Sequence, residues 1–262
     1  MSSIISVENL IKKFGKFTAV NDISFEVREG EVFAFLGPNG AGKSTTISML
    51  TTLVKRTSGE IEISGFDPDE DSFSVRKSFG IVFQDDSHDE DLTAYENMMF
   101  HAVLYGVPKK ERARKIQKFL EYVDLWDRRK NLMRTFSGGM KRRLEIARAL
   151  LHEPKILFLD EPTLGLDPQT RNYLWEYVMK LSKERGMTIF FTTHYMQEAE
   201  KYADRIAIID HGKIKTIGSL EEIKKETNKE TLEDAFLEIT GKEIREDSAA
   251  DPFKNSMKLR GR

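Results

Sequence analysis

Val32-Phe33-Ala34-Phe35-Leu36-Gly37-Pro38-Asn39-Gly40-Ala41-Gly42-Lys43-Ser44-Thr45 is the stretch on which the reading of this chain turns. The five apolar residues that open it do not alternate with polar ones, which predicts a strand covered on both faces. The next nine fit G-x-x-x-x-G-K-[ST], and a helical run, Thr46–Leu53, follows. Strand, glycine-rich loop and helix in that order are what a phosphate-binding loop requires. The glycines let backbone N–H groups turn toward phosphate oxygens, and the helix offers its positive N-terminus to the same anion. In such a loop Lys43 reaches the β- and γ-phosphates and the Ser44 hydroxyl ligates Mg²⁺.

Outward from the loop, a second buried strand, Lys155–Leu159, runs into Asp160-Glu161. In doubly wound sheets, ligands bind at strand ends of this kind. Successive side chains of a strand point to opposite faces, so the two acids can do different work. Asp160 suits an outer ligand to Mg²⁺, and Glu161 a general base that polarises an attacking water.

The rest of the chain sets these two strand ends in an α/β fold. Ile4–Leu10 and Phe17–Val27 alternate as half-buried antiparallel strands do, and Ile61–Ile63, Gly80–Phe83, Thr188–Thr192 and Arg205–Ile209 are further strand candidates. From about Thr93 to His152 no strand is convincing. Thr93-x-x-Glu96 is a capping box, and Ala113, Ile116, Phe119, Leu120 and Val123, then Met140, Leu144, Ala147 and Leu151, recur at helical spacing. Ser219-x-x-Glu222 caps a C-terminal helical region, and from about Asp247 the sequence is polar and aperiodic.

Composition bounds the function. The 262 residues carry 41 Lys+Arg against 43 Asp+Glu, a formal net charge of −2, and no cysteine. That balance gives no general affinity for nucleic acid. The missing cysteines remove disulfides, Cys-ligated zinc, iron–sulfur clusters and a thiol nucleophile. The N-terminal stretch does not read as a secretory signal, and no apolar run approaches the roughly 20 residues of a spanning helix.

Phe136-Ser137-Gly138-Gly139-Met140-Lys141-Arg142-Arg143 is the most specific remaining motif. By itself it is a Ser-capped helix with a glycine-rich start, a second place where backbone comes close to an anion. Together with the phosphate loop and the acidic strand, it resembles the signature motif of the ATP-binding subunits of ATP-binding cassette (ABC) transporters, over about residues 3–240. The resemblance implies a P-loop fold of ABC type: a mixed sheet core, an antiparallel β subdomain and an inserted helical subdomain. It places an ATPase domain at residues 1–240, its helical part at about 86–153, and a partly disordered extension at 241–262. It also implies the roles of further residues. Gln84 is similar to the glutamine that contacts Mg²⁺ and couples to the membrane partner. Leu164-Gly165-Leu166-Asp167 resembles the loop whose aspartate lies at the dimer contact. His194 matches the histidine that senses the γ-phosphate, and Phe14 the aromatic that stacks on adenine, with Phe17 as its rival. In this family two domains pair head to tail, so Ser137, Gly138 and Gly139 would act in trans on ATP held by Gly37 to Thr45 of the other copy.

Thr193-His194-Tyr195-Met196-Gln197-Glu198-Ala199-Glu200 and Leu232-Glu233-Asp234-Ala235-Phe236-Leu237-Glu238-Ile239-Thr240-Gly241 are similar to segments of daunorubicin-resistance-type export ATPases, whereas Phe136 and Met140 depart from the usual signature and leave its Ser-Gly-Gly intact. What is implied is an ATP- and Mg²⁺-dependent subunit, cytoplasmic and peripheral on the inner face of the cell membrane, that drives export through a separate permease. The alternative is a soluble ABC ATPase acting in DNA repair or on ribosomes. The acidic run Asp85 to Asp91 reads as a solvated loop or as a docking edge for the permease.

Overall fold

The computed structural model of the protein describes residues 2–241, so the expected extension lies, apart from Gly241, outside the described residues. Two long strands, β1 (Ser3–Phe14) and β2 (Phe17–Arg28), form a hairpin, and β1 also pairs antiparallel with β4 (Ser58–Ile63). Between them the chain lays down β3 (Val32–Leu36) and α1 (Lys43–Leu50). After β4 come α2 (Ser72–Ser78) and β5 (Phe79–Val82), then three helices: α3 (Ala94–Leu104), α4 (Lys109–Tyr122) and α5 (Gly138–Ala149). The chain then returns through β6 (Ile156–Asp160), α6 (Pro168–Arg185), β7 (Thr188–Thr193), α7 (Met196–Tyr202), β8 (Arg205–Asp210) and β9 (Lys213–Gly218), and ends in α8 (Leu220–Thr227) and α9 (Leu232–Thr240).

The second sheet has six strands in the order β5-β6-β7-β3-β8-β9, parallel throughout except for β9. Its parallel strands are apolar on both faces, and strand alternation divides the interior in two. Phe33, Phe35, Phe158, Phe190, Ala207 and Ile209 face one core, shared with β1, β2, β4 and α1. Val32, Ala34, Leu36, Leu157, Leu159, Ile189, Phe191, Ile206 and Ile208 face the other, where the helices pack. Phe25 reaches down from the antiparallel sheet to lie 5.5–6.1 Å from the rings of Phe33, Phe35 and Phe190. This aromatic layer joins the two sheets.

Local signals place the helices. Thr93 and Glu96 form a reciprocal capping box at α3, and Ser219 and Glu222 do the same at α8. The Ser137 side chain accepts from the Met140 N–H at the start of α5. Some expected bounds move. The helix after the phosphate loop begins at Lys43 rather than Thr46, because the loop's own Lys and Ser form its first turn. Ala113, though on the apolar spacing of α4, is exposed. Helix α2 and strand β9 were not legible beforehand. β9 returns from β8 through His211 and Gly212, both left-handed at φ 48° and 71°, as a two-residue hairpin turn demands.

Candidate functional site

Both sequence-singled strand ends lie at the C-terminal edge of the parallel sheet, where a doubly wound sheet opens to ligands. The loop from Gly37 to Gly42 leaves β3 at this edge and turns straight into α1. Gly42 has φ 107°, and a Cβ there would lie 2.7 Å from the Ala19 carbonyl of β2, so glycine is required by both conformation and space. Lys43 is 4% exposed. Its Nζ donates to the carbonyls of Gly37 (2.8 Å) and Pro38 (3.2 Å) and lies 3.1 Å from Glu161 Oε1. These contacts hold the ammonium over the loop's concave face.

β6 and β7 build the acidic wall. Asp160 stands opposite Thr192 in the strand register. The Thr192 hydroxyl donates to Asp160 Oδ1 at 2.5 Å and accepts from the Glu161 N–H at 3.0 Å. The Ser44 hydroxyl, from the first turn of α1, donates to the same Asp160 oxygen at 3.3 Å. Burial pushes the Asp160 carboxyl above its ordinary range, against the hydrogen bonds from Thr192 and Ser44.

Glu161 leaves the strand with φ 47°, a left-handed conformation that costs a non-glycine residue of order 1–3 kcal/mol. The turn aims its carboxylate back at Lys43 on one side and His194 on the other, with His194 Nδ1 3.0 Å from Oε2. Burial alone would raise the Glu161 carboxyl. The hydrogen bond from His194 and the charge of Lys43 outweigh it, and the carboxyl falls to about 2. An ionised carboxylate only accepts, so Nδ1 of His194 carries a proton and donates to Oε2.

Gln84 comes to the same edge by register. Val82, the last paired residue of β5, stands beside Leu159 of β6, and Gln84 follows two residues beyond that C-terminal strand end. Its side chain is half-buried. Phe14 and Phe17 face each other across the β1–β2 turn. Phe14 is half-buried under the Lys12 ammonium at 4.8 Å, and Phe17 is 50% exposed.

Ser137, Gly138 and Gly139 are not brought to this cluster: among the described residues, no hydrogen bond or ion pair joins them to Gly37 through Thr45. Asp167 is exposed and caps α6, accepting from the Thr170 N–H (3.0 Å) and hydroxyl (2.6 Å).

Sequence reasoning passed over four residues that shape the site. Thr192 orients both acids. Glu198, 3% exposed, accepts from the hydroxyls of Thr163 and Thr193 and so braces the segments that follow β6 and β7. Arg142 and Glu145 are buried on α5. Only Thr192 left a sequence signal, a polar residue ending an apolar strand just ahead of His194. The acidic run is not simply solvated either, since Glu90 accepts from Lys141 Nζ at 2.6 Å.

Comparison with known proteins agrees with this geometry. The sequence model of the family described as ABC transporter matches residues 20–164. The linearmycin resistance ATP-binding protein LnrL of Bacillus subtilis is 47% identical over 82% of this chain and 69% of its own length. The daunorubicin/doxorubicin resistance ATP-binding protein DrrA of Streptomyces peucetius is 40% identical over 84% of this chain and 66% of its own. The chain thus spans about two thirds of these curated relatives. Among solved structures, an ATP-binding subunit of an ABC transporter superposes with TM-score 0.82 at 31% identity, covering 90% of this chain and 99% of that one. A dimeric ATP-binding cassette, in a post-hydrolysis state bound to ADP and Pi, superposes with TM-score 0.74 at 29% identity, covering 82% and 98%.

Proposed function

The chain belongs to the ABC transporter family as an ATP-binding and ATP-hydrolysing subunit, and we propose that the residues gathered at the sheet edge divide that reaction among them. The observation that carries the reading is the contact of Glu161 with both Lys43 (3.1 Å) and His194 (3.0 Å). Backbone N–H groups of Gly37 to Thr45 and the start of α1 cradle the β- and γ-phosphates. Lys43 answers their charge, and Phe14 stacks on the adenine. Glu161 takes the proton of the attacking water. With its carboxyl near 2 it is ionised at neutral pH but weakly basic. A γ-phosphate that draws Lys43 to itself removes one of the charges holding that value down, so basicity rises when substrate is in place. His194 keeps Glu161 aimed through Nδ1–H, and a proton on Nε2 lets that nitrogen donate to the γ-phosphate.

The donor set fits Mg²⁺. The buried Asp160 carboxylate, the Ser44 hydroxyl beside it and the Gln84 side chain are the hard oxygen ligands that ion takes. Bound there, Mg²⁺ would neutralise charge on the phosphate oxygens.

Ser137, Gly138 and Gly139 act on the ATP of a second copy or homologue, with Asp167 at the contact between the two. Similarity to resistance ATP-binding proteins and to a Nod factor export ATP-binding protein supports export as the direction. The motion would be delivered through a separate permease, because no described helix is long and apolar enough to cross a membrane. That arrangement would hold the subunit at the cytoplasmic face. Affinity purification of the full chain from solubilised membranes tests the reading. A multi-span protein should co-purify and stimulate ATP turnover. Recovery with DNA or ribosomal particles instead would favour the soluble class of relative.

A further inference from the structure

Helix α5 begins with Ser137-Gly138-Gly139 and, little more than one turn later, buries two charges. Arg142 is 5% exposed and Glu145 2%. A buried ion pair is no better for stability than two well-packed apolar side chains, so its retention calls for another reason. The contacts of Arg142 supply one. Its Nη1 donates to the Phe83 carbonyl and, at 3.0 Å, to Glu145 Oε2, while Nη2 donates to the Gln84 carbonyl at 2.9 Å. Those carbonyls have just left β5 and have no strand neighbour to donate to them. The planar guanidinium serves the two carbonyls through separate nitrogens while Nη1 also meets the Glu145 carboxylate.

Glu145 holds the clamp from below. Its Oε1 accepts from the Ser87 N–H (2.8 Å) and hydroxyl (3.1 Å), and Arg148, one turn on, donates to the Ser87 carbonyl at 2.8 Å. Lys141 binds Glu90 from the same helix. Residues 83, 84, 87 and 90 are therefore fastened to α5, and Asp89 to Asn97 of α3, rather than to the sheet they emerge from. The His88 ring is enclosed by the same cluster, between Asp86 (4.0 Å) and Glu145 (3.8 Å).

We propose that Arg142, held by Glu145, is a positioning residue for ATP hydrolysis: it fixes the Gln84 backbone to the signature helix and so sets where the Gln84 side chain stands at the ATP site. The proposal rests on the assignment of Gln84 to that site. Whatever displaces α5 then displaces Gln84 with it, and Arg142 acts through Gln84 alone.

The test is a double-variant cycle on the full chain, reading Mg·ATP turnover and KM. Arg142→Gln should lower kcat about tenfold or more with little change in KM, since misplacing a group by about 1 Å has effects of that size. In a Gln84→Ala background the same change should cost less than about twofold. Because Arg142→Gln leaves Glu145 buried with a weakened partner, the pair Arg142→Met with Glu145→Met is measured beside it. It should still melt cooperatively, below the parent because the Phe83 and Gln84 carbonyls and the Ser87 N–H lose their partners, and should lose turnover when assayed well below its melting temperature. An equal cost of Arg142→Gln in both backgrounds, or parent turnover in the Met pair, would overturn the proposal while leaving Gln84 where it is. Parent turnover in Gln84→Ala itself would instead fail the assignment of Gln84, and the proposal with it.

Discussion

Two helices in this protein begin with a glycine-rich turn, and the contrast between them bears on the proposal that one chain carries halves of two different sites. At α1 the turn is finished by its own fold. Lys43 is buried, its ammonium is fully occupied, and a Cβ on Gly42 would strike the neighbouring strand. At α5 the turn is open. Ser137 and Gly138 are exposed, the serine makes one capping bond of 3.4 Å, and a Cβ on Gly138 would meet only the Leu166 side chain at 3.8 Å. Nothing within the described chain demands glycine at 138. A requirement there has to come from outside, from a surface that approaches the backbone closely.

The sharpest way to break the contrast is to disable the finished end. Glu161→Gln removes the proposed general base while keeping shape and hydrogen-bonding reach, so turnover should fall by a factor of order 10²–10⁴ with ATP binding retained. Steady-state phosphate release and calorimetry read the two separately, and parent turnover would take the role of base away from Glu161. Lys43→Ala comes next. Loss of charge-assisted hydrogen bonds of about 1.5–3 kcal/mol should weaken ATP binding about ten- to a hundredfold. Undiminished affinity by calorimetry would show that the loop's N–H groups suffice without the ammonium.

pH separates the two ends again. The Glu161 carboxyl is depressed in the fold, to about 2 from its ordinary 4.5. Its stabilising contribution is therefore fully present above about 4.5 and lost as pH falls through 2. The stability difference between the parent and Glu161→Gln should be flat from neutral pH to about 5 and shrink below that, as followed by thermal melts. A Gly138→Ala variant, which removes no titrating group, should track the parent at every pH. A difference that failed to shrink below about pH 4 would contradict the depressed Glu161 carboxyl.

How far the sequence could lead follows the same division. The motifs whose chemistry is local, the phosphate loop, the acidic strand and the two capping boxes, were readable because spacing alone fixes what they can do. The strand core was readable because the buried parallel strands are nearly continuous in apolar residues. What escaped depends on residues far apart in the chain. Thr192 matters because the register sets it opposite Asp160, and Glu198 because two threonines converge on it. Arg142 and Glu145 carry no local mark of burial, which comes from the chain leaving β5 beside them. The acidic run after Gln84 could not be interpreted until Lys141 and the cluster around Glu145 supplied its partners. Helix α2 and strand β9 were too short and too polar to register as periodic.

The smallest effect is the most telling about the open end. Gly138→Ala adds a methyl in free space at a position with ordinary helical backbone, so it should leave melting unchanged or raise it by up to about 1 kcal/mol. Gly139→Ala differs, since its Cβ would run into the Thr170 side chain, which is tied to Asp167. That overpacking should cost about 1–3 kcal/mol and loosen the cap of α6. If the open turn exists for a second copy, Gly138→Ala should nonetheless weaken ATP-driven dimerisation, measured by light scattering in the Glu161→Gln background, and slow turnover in the otherwise unaltered chain. A Gly138→Ala protein that dimerises and turns over like the parent would mean that close backbone approach at residue 138 is not needed, and that the exposed turn is an ordinary capped helix start.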